Sequence, residues 1–294
     1  MKINNYESIK HLVPVEVSGL SAETDLNLKN KEKYYNIIKD EINKNTMHMA
    51  TPSNTLKNDG CVFLGNIINA EKVKTQLSKF PIYKGHIKND LYSDNKPIYD
   101  YWQNKDLNGI YCWSMKDLIT CDTVTNVASN PLVIDFVSSY LGCLPTCYGI
   151  NCMLSSGVSG HGTTSRHRDL DDFKFVSLFI YLDDVDLSNG PHVYETGTHK
   201  GIEDSPVGST LTPIDKNPKI LTGKAGDGFL EDNWGIHYGM TLAPNKSRTC
   251  LWIRYGLYDN YTARHSVFLE EQKSENHKFD FSNELTKYVF RFLQ

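Results

Sequence analysis

From residue 146 to 258 the chain is a succession of short apolar or alternating segments, separated by Gly, Asn, Asp and Pro, with no helical segment between them. Runs of this length parted by turn-forming residues predict β-strands. The segments are YGINCMLS, FKFVSLFIYLDDV, GPHVYETGTH, GDGFLEDNW, GIHYGMTL and RTCLWIRYGLY. Strands that follow one another without crossover helices indicate an antiparallel sandwich or barrel. The expected fold class is therefore mainly β, with helices packed outside.

Helical segments flank these strands. DGCVFLGNI (59–67) predicts a strand, and the following NAEKVKTQLSKF predicts a helix capped by Asn69. SNPLVIDFVSSYLGC predicts a second helix that begins after Asn130 and ends at Gly142. KEKYYNIIKDEINK, within the polar N-terminal segment, and ELTKYVFRFLQ at the C-terminus also have helical periodicity. The roughly fifty residues that follow NAEKVKTQLSKF show no clear period and receive no assignment.

Charge and composition narrow the classes of partner. A formal net charge of -4 and a pI near 6.2 provide no basic surface for nucleic acid. The longest apolar run, FVSLFIYL, is too short to cross a bilayer, and the N-terminal segment lacks the apolar core of a signal peptide. Seven cysteines without a CxxC pair indicate reduced thiols. We expect a cytoplasmic protein with a small-molecule substrate and no nucleic-acid or membrane partner. The sequence leaves the oligomeric state open.

The stretch SRHRDLDDFKF contains the first candidate site residues, His167 and Asp169. HRDL begins the catalytic loop of protein kinases, but that loop needs an asparagine five residues after its aspartate. Position 174 is Lys174, and no glycine-rich loop precedes it, so the kinase interpretation fails. A histidine and a carboxylate separated by one residue also begin many non-haem iron sites. Taken alone, the pair fits a solvated turn better than a metal site.

A second candidate element is GIHYGMTLAPNKSRTCLWIRYGLY. A turn at APNK, with Pro244 and Asn245 at its centre, predicts a hairpin in which His237 lies opposite Trp252. Arg248 then shares a face with His237 about 13 Å away, because side chains alternate along a strand. A dicarboxylate that chelates a metal at His237 could reach this guanidinium, which binds carboxylates bidentately. Taken alone, the two residues also fit a half-buried strand histidine and a surface arginine.

Two histidines and one carboxylate on one face of a metal leave three positions open, which is typical of ferrous oxygenases. The ordered pieces are DGCVFLGNI, HRD, YLDDVDLSNGPHVYETGTHK, GDGFLEDNWGIHYG and an arginine eleven residues after the second histidine. With them the sequence resembles the phytanoyl-CoA dioxygenase-like branch of the Fe(II)/2-oxoglutarate-dependent oxygenases. The resemblance covers about 59–258 and implies an oxygenase domain with a double-stranded β-helix (jelly-roll, cupin-like) core. Residues 1–58 and 259–294 match nothing and are expected to be an N-terminal helical cover and a C-terminal helical segment packed on the core.

The resemblance also implies roles for single residues. His167, Asp169 and His237 would be the catalytic metal ligands, with Fe(II), 2-oxoglutarate and O2 as cofactor and cosubstrates. Arg248 would bind the distal carboxylate of 2-oxoglutarate. His192 is expected, like His199, to be a scaffold or substrate-side residue and not a ligand.

Other positions are expected to line the pocket. Gly239 replaces a serine that helps to hold the cosubstrate in the family, and Thr241, opposite Arg248 in the predicted hairpin, could take its place. Asn151 and Phe179, on strands flanking the HRD stretch, are further candidates for cofactor binding. The expected substrate-side residues are Trp234, Tyr238, Trp252 and Arg254, and the three aromatic residues fit a role in the core equally well.

The implied reaction is hydroxylation of a C–H bond with release of succinate and CO2. Asp169 favours hydroxylation, because related halogenases have a small residue at that position, although desaturation or ring closure stays open. We expect a polar secondary metabolite or glycan-pathway intermediate and not an acyl-CoA, since the stretch behind the triad is acidic. Its aspartates are Asp171, Asp172, Asp183, Asp184 and Asp186. The alternatives are a non-catalytic cupin-like binding protein and an iron oxygenase that does not use 2-oxoglutarate.

Overall fold

Two antiparallel sheets form the centre of the fold. The computed structural model describes residues 52–85, 96–102, 107–141, 144–157, 166–169, 175–200, 218–256 and 284–290. The strands are β1 (Cys61–Asn66), β2 (Tyr83–Lys84), β3 (Gly109–Cys112), β4 (Thr146–Ser156), β5 (Phe175–Tyr181), β6 (His192–Tyr194), β7 (Lys219–Leu221), β8 (Asp227–Glu231), β9 (His237–Gly239) and β10 (Ser247–Gly256). The larger sheet has the order β1-β8-β5-β10-β4-β3-β2, and the smaller has the order β7-β6-β9.

Most consecutive strands from β4 onward change sheet. β4, β5, β8 and β10 belong to the larger sheet, whereas β6, β7 and β9 belong to the smaller. The backbone of His167 pairs with that of His237, which adds a fourth strand position to the smaller sheet between β4 and β5 in sequence. Eight strand positions divided in this way between two facing sheets form a double-stranded β-helix, or jelly roll. The predicted fold class is confirmed.

Helices cover the outer face of the larger sheet. They are α1 (Pro52–Asp59), α2 (Ala70–Leu77), α3 (Met115–Ile119), α4 (Asp122–Ala128), α5 (Pro131–Leu141) and α6 (Glu284–Val289). Leu251, Ile253 and Tyr255 of β10 point outward into one hydrophobic core with Val137 of α5 and Leu285 of α6. Within the described residues, no helix is long and apolar enough to span a membrane. Because side chains alternate, Arg248, Cys250, Trp252 and Arg254 of β10 point into the interior between the sheets.

The predicted helix starts are confirmed by their caps. The side chain of Asn69 accepts a hydrogen bond from the Lys72 N–H at 2.9 Å, and that of Asn130 accepts one from the Leu132 N–H at 2.9 Å. The predicted helix end at Gly142 and the KEKYYNIIKDEINK segment lie outside the described residues. β2, β3 and β7 were not predicted, because segments of two to four residues carry too little periodicity.

The predicted hairpin between His237 and Trp252 is wrong. β9 pairs with β6, whereas β10 pairs with β4 and β5. The turn itself forms, with the Lys246 N–H donating to the Ala243 carbonyl at 3.1 Å and Asn245 at φ 61. In a double-stranded β-helix this turn joins two different sheets, so the strands on either side of it are not hydrogen-bonded to each other. His237 and Arg248 therefore reach the interior from opposite sheets.

Candidate metal centre

Three side chains converge in the interior beside the smaller sheet: His167, Asp169 and His237. One possible ligand atom from each lies within 4.8 Å of the others. Asp169 Oδ1 is 3.8 Å from His167 Nε2, and Asp169 Oδ2 is 3.7 Å from His237 Nε2. Metal ligands of these types bind at about 2.0–2.2 Å, so atoms this far apart can share one ion. The donor set of two imidazoles and one carboxylate fits a ferrous ion with open positions.

Backbone pairing brings these side chains together. The His167 N–H donates to the His237 carbonyl at 3.1 Å, and the His237 N–H donates to the His167 carbonyl at 3.0 Å. Two residues further on, the Asp169 N–H donates to the Asn233 carbonyl at 3.0 Å. The extended segment therefore lies against the residues that lead into β9, and alternation turns both His167 and Asp169 inward.

Two arginines anchor the same segment from its other side. Arg166 forms an ion pair with the buried Glu195. Arg168, which is buried, donates to the carbonyl of Thr198 at 2.7 Å and to that of Trp234. The arginines thus fix the backbone of the HRD stretch, which explains how an otherwise polar loop presents two inward side chains.

The tautomer of His237 leaves one nitrogen available for a metal. Its Nδ1 donates to the Gly235 carbonyl at 2.9 Å, since a carbonyl oxygen can only accept. A side chain at position 235 would collide with the Tyr194 hydroxyl, so glycine is required there. Burial, together with the charge of His167, lowers the pKa of His237 to about 4. At neutral pH the Nε2 lone pair therefore faces Asp169.

Arg248 reaches across the interior from the start of β10. It is 8% exposed, and one Nη donates to the Gly190 carbonyl just before β6. Gly190 has φ 64, and a Cβ there would collide with the Met240 carbonyl, so only glycine fits. The Arg248 Nε is buried without a hydrogen-bond partner in the described part of the chain. A buried guanidinium with an unused donor is suited to an anionic ligand.

A buried histidine–glutamate pair adjoins the triad. His192 Nε2 is 2.7 Å from Glu231 Oε2, although the two groups are not aligned for a hydrogen bond. Burial lowers the pKa of His192 to about 3, with the charge of Arg248 as the next cause. Burial also raises the pKa of Glu231 to about 8. The His192 ring stacks on that of His237, with centroids 5.6 Å apart.

Aromatic residues of the larger sheet form the wall that faces this pair. Asn151, Trp252, Phe179 and Phe229 lie in register across β4, β10, β5 and β8. The Phe179 ring is 4.9 Å from that of His192, 5.3 Å from Phe229 and 6.0 Å from Trp252, measured between centroids. Asn151 and Phe179, which were expected to contact the cofactor, are thus part of the interior wall.

No protein-family model matches the chain, and no curated protein matches it by sequence. Solved structures share its fold. The epimerase SnoN, solved with Fe3+, α-ketoglutarate and nogalamycin RO, has 13% identity and a TM-score of 0.52, covering 69% of this chain and 81% of SnoN. The non-haem α-ketoglutarate-dependent carbocyclase SnoK from nogalamycin biosynthesis has 13% identity and a TM-score of 0.51, covering 81% and 95%. The phytanoyl-CoA dioxygenase-like assignment stays a prediction.

The remaining predicted pocket residues separate into three groups. Thr241 is exposed and belongs to no strand, so the pairing that placed it opposite Arg248 does not form. Trp234 is packed in the main core with the helices, and Tyr238 alternates with His237 and so points to the other face of β9. Arg254 shares the inner face of β10 with Trp252, and its guanidinium carbon is 5.8 Å from that ring.

The aspartates behind the triad have structural partners. Asp183 pairs with Lys74 at 2.8 Å, Asp184 pairs with Lys224 at 2.9 Å, and Asp186 caps a short 3-10 turn. The two aspartates before β5 lie outside the described residues. Local partners account for these three aspartates, so they do not support the expectation of a polar substrate that was drawn from the acidic stretch.

Sequence reasoning missed Glu231 and Asn233. Both are buried, at 0% and 1% exposure, and both lie close to the triad. A signal was present, because GDGFL is followed by the polar run Glu-Asp-Asn directly before the second histidine segment. Three consecutive polar residues at the end of an apolar strand indicate a turn or a buried polar site, and burial alone distinguishes the two.

Proposed function

We propose that the protein is an Fe(II)- and 2-oxoglutarate-dependent dioxygenase that hydroxylates a C–H bond of a polar small molecule, releasing succinate and CO2. The observation that carries the proposal is the convergence of His167, Asp169 and His237 to within 4.8 Å, on the opposite side of the interior from a buried arginine. A structural polar cluster would not need three groups of metal-ligand type with their donor atoms directed at one another.

His167, Asp169 and His237 would hold the ferrous ion on one side and leave the other side open for small ligands. Burial keeps His237 neutral, so it offers a lone pair at neutral pH. Its hydrogen bond to Gly235 fixes the ring orientation before any metal binds. With 2-oxoglutarate and O2, iron would supply the oxidising power that inserts one oxygen atom into the substrate C–H bond and places the other in succinate.

Arg248 would bind the C5 carboxylate of 2-oxoglutarate. Its unused Nε and its buried position suit a carboxylate better than water, because a buried cation is stabilised by an opposite charge. Asn151 and Phe179 would line the space beside the cosubstrate, since they belong to the inner face of the same sheet as Arg248. Their role is to exclude water and orient the cosubstrate.

The proposed substrate class is a polar secondary metabolite or a glycan-pathway intermediate. An acyl-CoA carries several phosphate charges and requires clustered cations, which a chain with net charge -4 and no basic run does not indicate. The structural neighbour SnoN was solved with nogalamycin RO, and SnoK is from nogalamycin biosynthesis, which supports a secondary metabolite. Asp169 occupies the carboxylate position, which favours hydroxylation.

The test is turnover of a substrate panel by the iron-loaded protein. Polyketides, nucleotide sugars, amino acids and acyl-CoAs would be supplied with 2-oxoglutarate, and succinate would be measured together with product mass. A gain of 16 mass units identifies hydroxylation, a loss of 2 identifies ring closure or desaturation, and an unchanged mass with altered retention identifies epimerisation. The His237→Ala variant is the matched control. Turnover of an acyl-CoA alone would contradict the proposed substrate class.

A further inference from the structure

A buried bridge of side chains connects Asp169 with the interior of the larger sheet. The Asn233 Nδ2 donates to Asp169 Oδ2 at 3.4 Å and to Glu231 Oε1 at 3.3 Å. In this orientation the amide nitrogen, which carries two N–H donors, faces a carboxyl oxygen on each side. Within the described residues, Asn233 provides the side-chain hydrogen bond to Asp169.

Asn233 holds Asp169 at two points. Its carbonyl accepts the Asp169 N–H at 3.0 Å, and its amide contacts the carboxylate. The Asp169 side chain is 25% exposed, so its carboxylate would otherwise rotate between the interior and solvent. Contacts to both the backbone and the side chain restrict that rotation and keep the carboxylate facing the two imidazoles.

Glu231 connects this bridge, through His192, to the candidate ligand His237. It is 0% exposed, and its Oε2 lies 2.7 Å from His192 Nε2. The His192 ring stacks on His237, with an angle of 24° between the ring planes. The path from Asp169 through Asn233, Glu231 and His192 thus ends against His237.

We propose that Asn233, anchored by Glu231, is a positioning residue of the metal centre. It holds the Asp169 carboxylate in the orientation that a metal requires. Glu231 contacts His192, and the His192 ring stacks on that of His237. The inference rests on the proposed function in one respect, because it takes the triad to be a metal site. Outer hydrogen-bonding partners of this kind contribute about 10–100-fold to metal affinity.

The experiment measures Co(II) binding to the full-length, metal-free protein by calorimetry and visible absorption. Asn233→Ala removes both amide donors and should weaken Co(II) binding by about 10–100-fold. Asn233→Ser keeps one shorter donor and should show an intermediate loss, which also provides a second variant if the alanine variant does not fold. Glu231→Gln keeps an oxygen facing Asn233 and should bind Co(II) within about threefold of the parent.

Ser177→Ala is the matched control. Ser177 pairs directly with Glu231 across β5 and β8, and its hydroxyl is buried without a hydrogen-bond partner in the described part of the chain. Its removal should leave Co(II) affinity and the Co(II) absorption bands unchanged. In the Asn233 variants these bands should shift, because the ligand geometry changes, which a loss of fold stability alone would not produce.

The possible results separate the inference from the proposed function. Weaker binding and shifted bands in the Asn233 variants, with Ser177→Ala like the parent, support it. A parent that binds Co(II) and Asn233 variants that bind within about twofold of it overturn the inference and leave the proposed function intact. Equal weakening in Ser177→Ala also overturns it, since general loosening of the interior would then be the cause. A parent that binds no metal overturns both.

Discussion

The two sheets enclose one interior, but their strands differ in length and in what they contribute. β4, β5 and β10 have 11, 7 and 10 residues, whereas β6, β7 and β9 have three each. The long strands pack one face on the helices and direct Arg248 into the interior from the other. The short strands carry His237 and pair with His167. Stability and metal binding are therefore assigned to different sheets and can be perturbed separately.

The strongest test of this division removes a ligand from the smaller sheet. His237→Ala should weaken Fe(II) or Co(II) binding by at least about 1,000-fold, equivalent to about 4 kcal/mol, because one of three protein ligands is lost. The melting temperature of the metal-free protein should change little, since the strand has three residues and no role in the main core. Calorimetric titration and thermal unfolding measure the two effects. Ile220→Ala, on the exposed side of β7, should bind metal like the parent.

The converse test removes packing from the larger sheet. Leu251 is fully buried on the outer face of β10, so Leu251→Ala should lower the free energy of unfolding by about 2–5 kcal/mol. Urea unfolding followed by circular dichroism measures this change. At a temperature where the variant is folded, its metal and 2-oxoglutarate affinities should equal those of the parent. A specific loss of metal affinity would show that the sheets are not independent.

Within β10, the inner face should respond differently from the outer face. Arg248→Lys keeps the charge but loses paired hydrogen bonding to a carboxylate. It should raise the dissociation constant for 2-oxoglutarate by about 10–100-fold, equivalent to about 1.4–2.7 kcal/mol, with metal affinity within about twofold of the parent. Calorimetry with the Mn(II)-loaded protein measures both constants. Equal losses in metal and cosubstrate affinity would mean that the arginine only supports the structure.

A further prediction concerns the pH dependence of stability. Burial raises the folded-state pKa of Glu231 to about 8, above its ordinary value of 4.5. Because the folded state holds this proton more tightly than the unfolded state does, protonated Glu231 adds to the free energy of unfolding below pH 4.5. That contribution is lost as the pH rises toward 8. Glu231→Gln has no ionisable group, so the metal-free variant should gain melting temperature relative to the parent as pH increases from 5 to 8. A difference that stays constant with pH would show that Glu231 is already ionised in the folded protein.

The contrast between long and short strands also explains what the sequence predicts. The long strands were recognised because they lie in apolar or alternating runs bounded by turn-forming residues. Three-residue β7 left no such pattern, and β9 was recognised only as part of a longer run. Its partner was assigned wrongly, since adjacency in sequence favours a hairpin and only the complete jelly roll shows that the turn at 243–246 changes sheets.

Residue types and order selected three residues that converge in the structure, together with Arg248, which is buried. His167, Asp169 and His237 were selected by chemistry and order, which do not depend on the strand register. Thr241 was selected by register alone and is exposed. The polar run 231–233 marks this region in the sequence, but it does not single out Asn233, whose importance lies in hydrogen bonds to Asp169 and Glu231. Such contacts follow from the three-dimensional arrangement and leave no periodic signal.

The most direct test of the account is an anaerobic titration of the metal-free protein with Fe(II) and then with 2-oxoglutarate, followed by visible absorption. We predict that one equivalent of Fe(II) binds and that 2-oxoglutarate then produces a weak charge-transfer band that saturates. The band should be absent in His237→Ala and should require more 2-oxoglutarate in Arg248→Lys. If the parent binds no Fe(II), or binds it and develops no band at saturating 2-oxoglutarate, the assignment of a 2-oxoglutarate-dependent iron centre is contradicted.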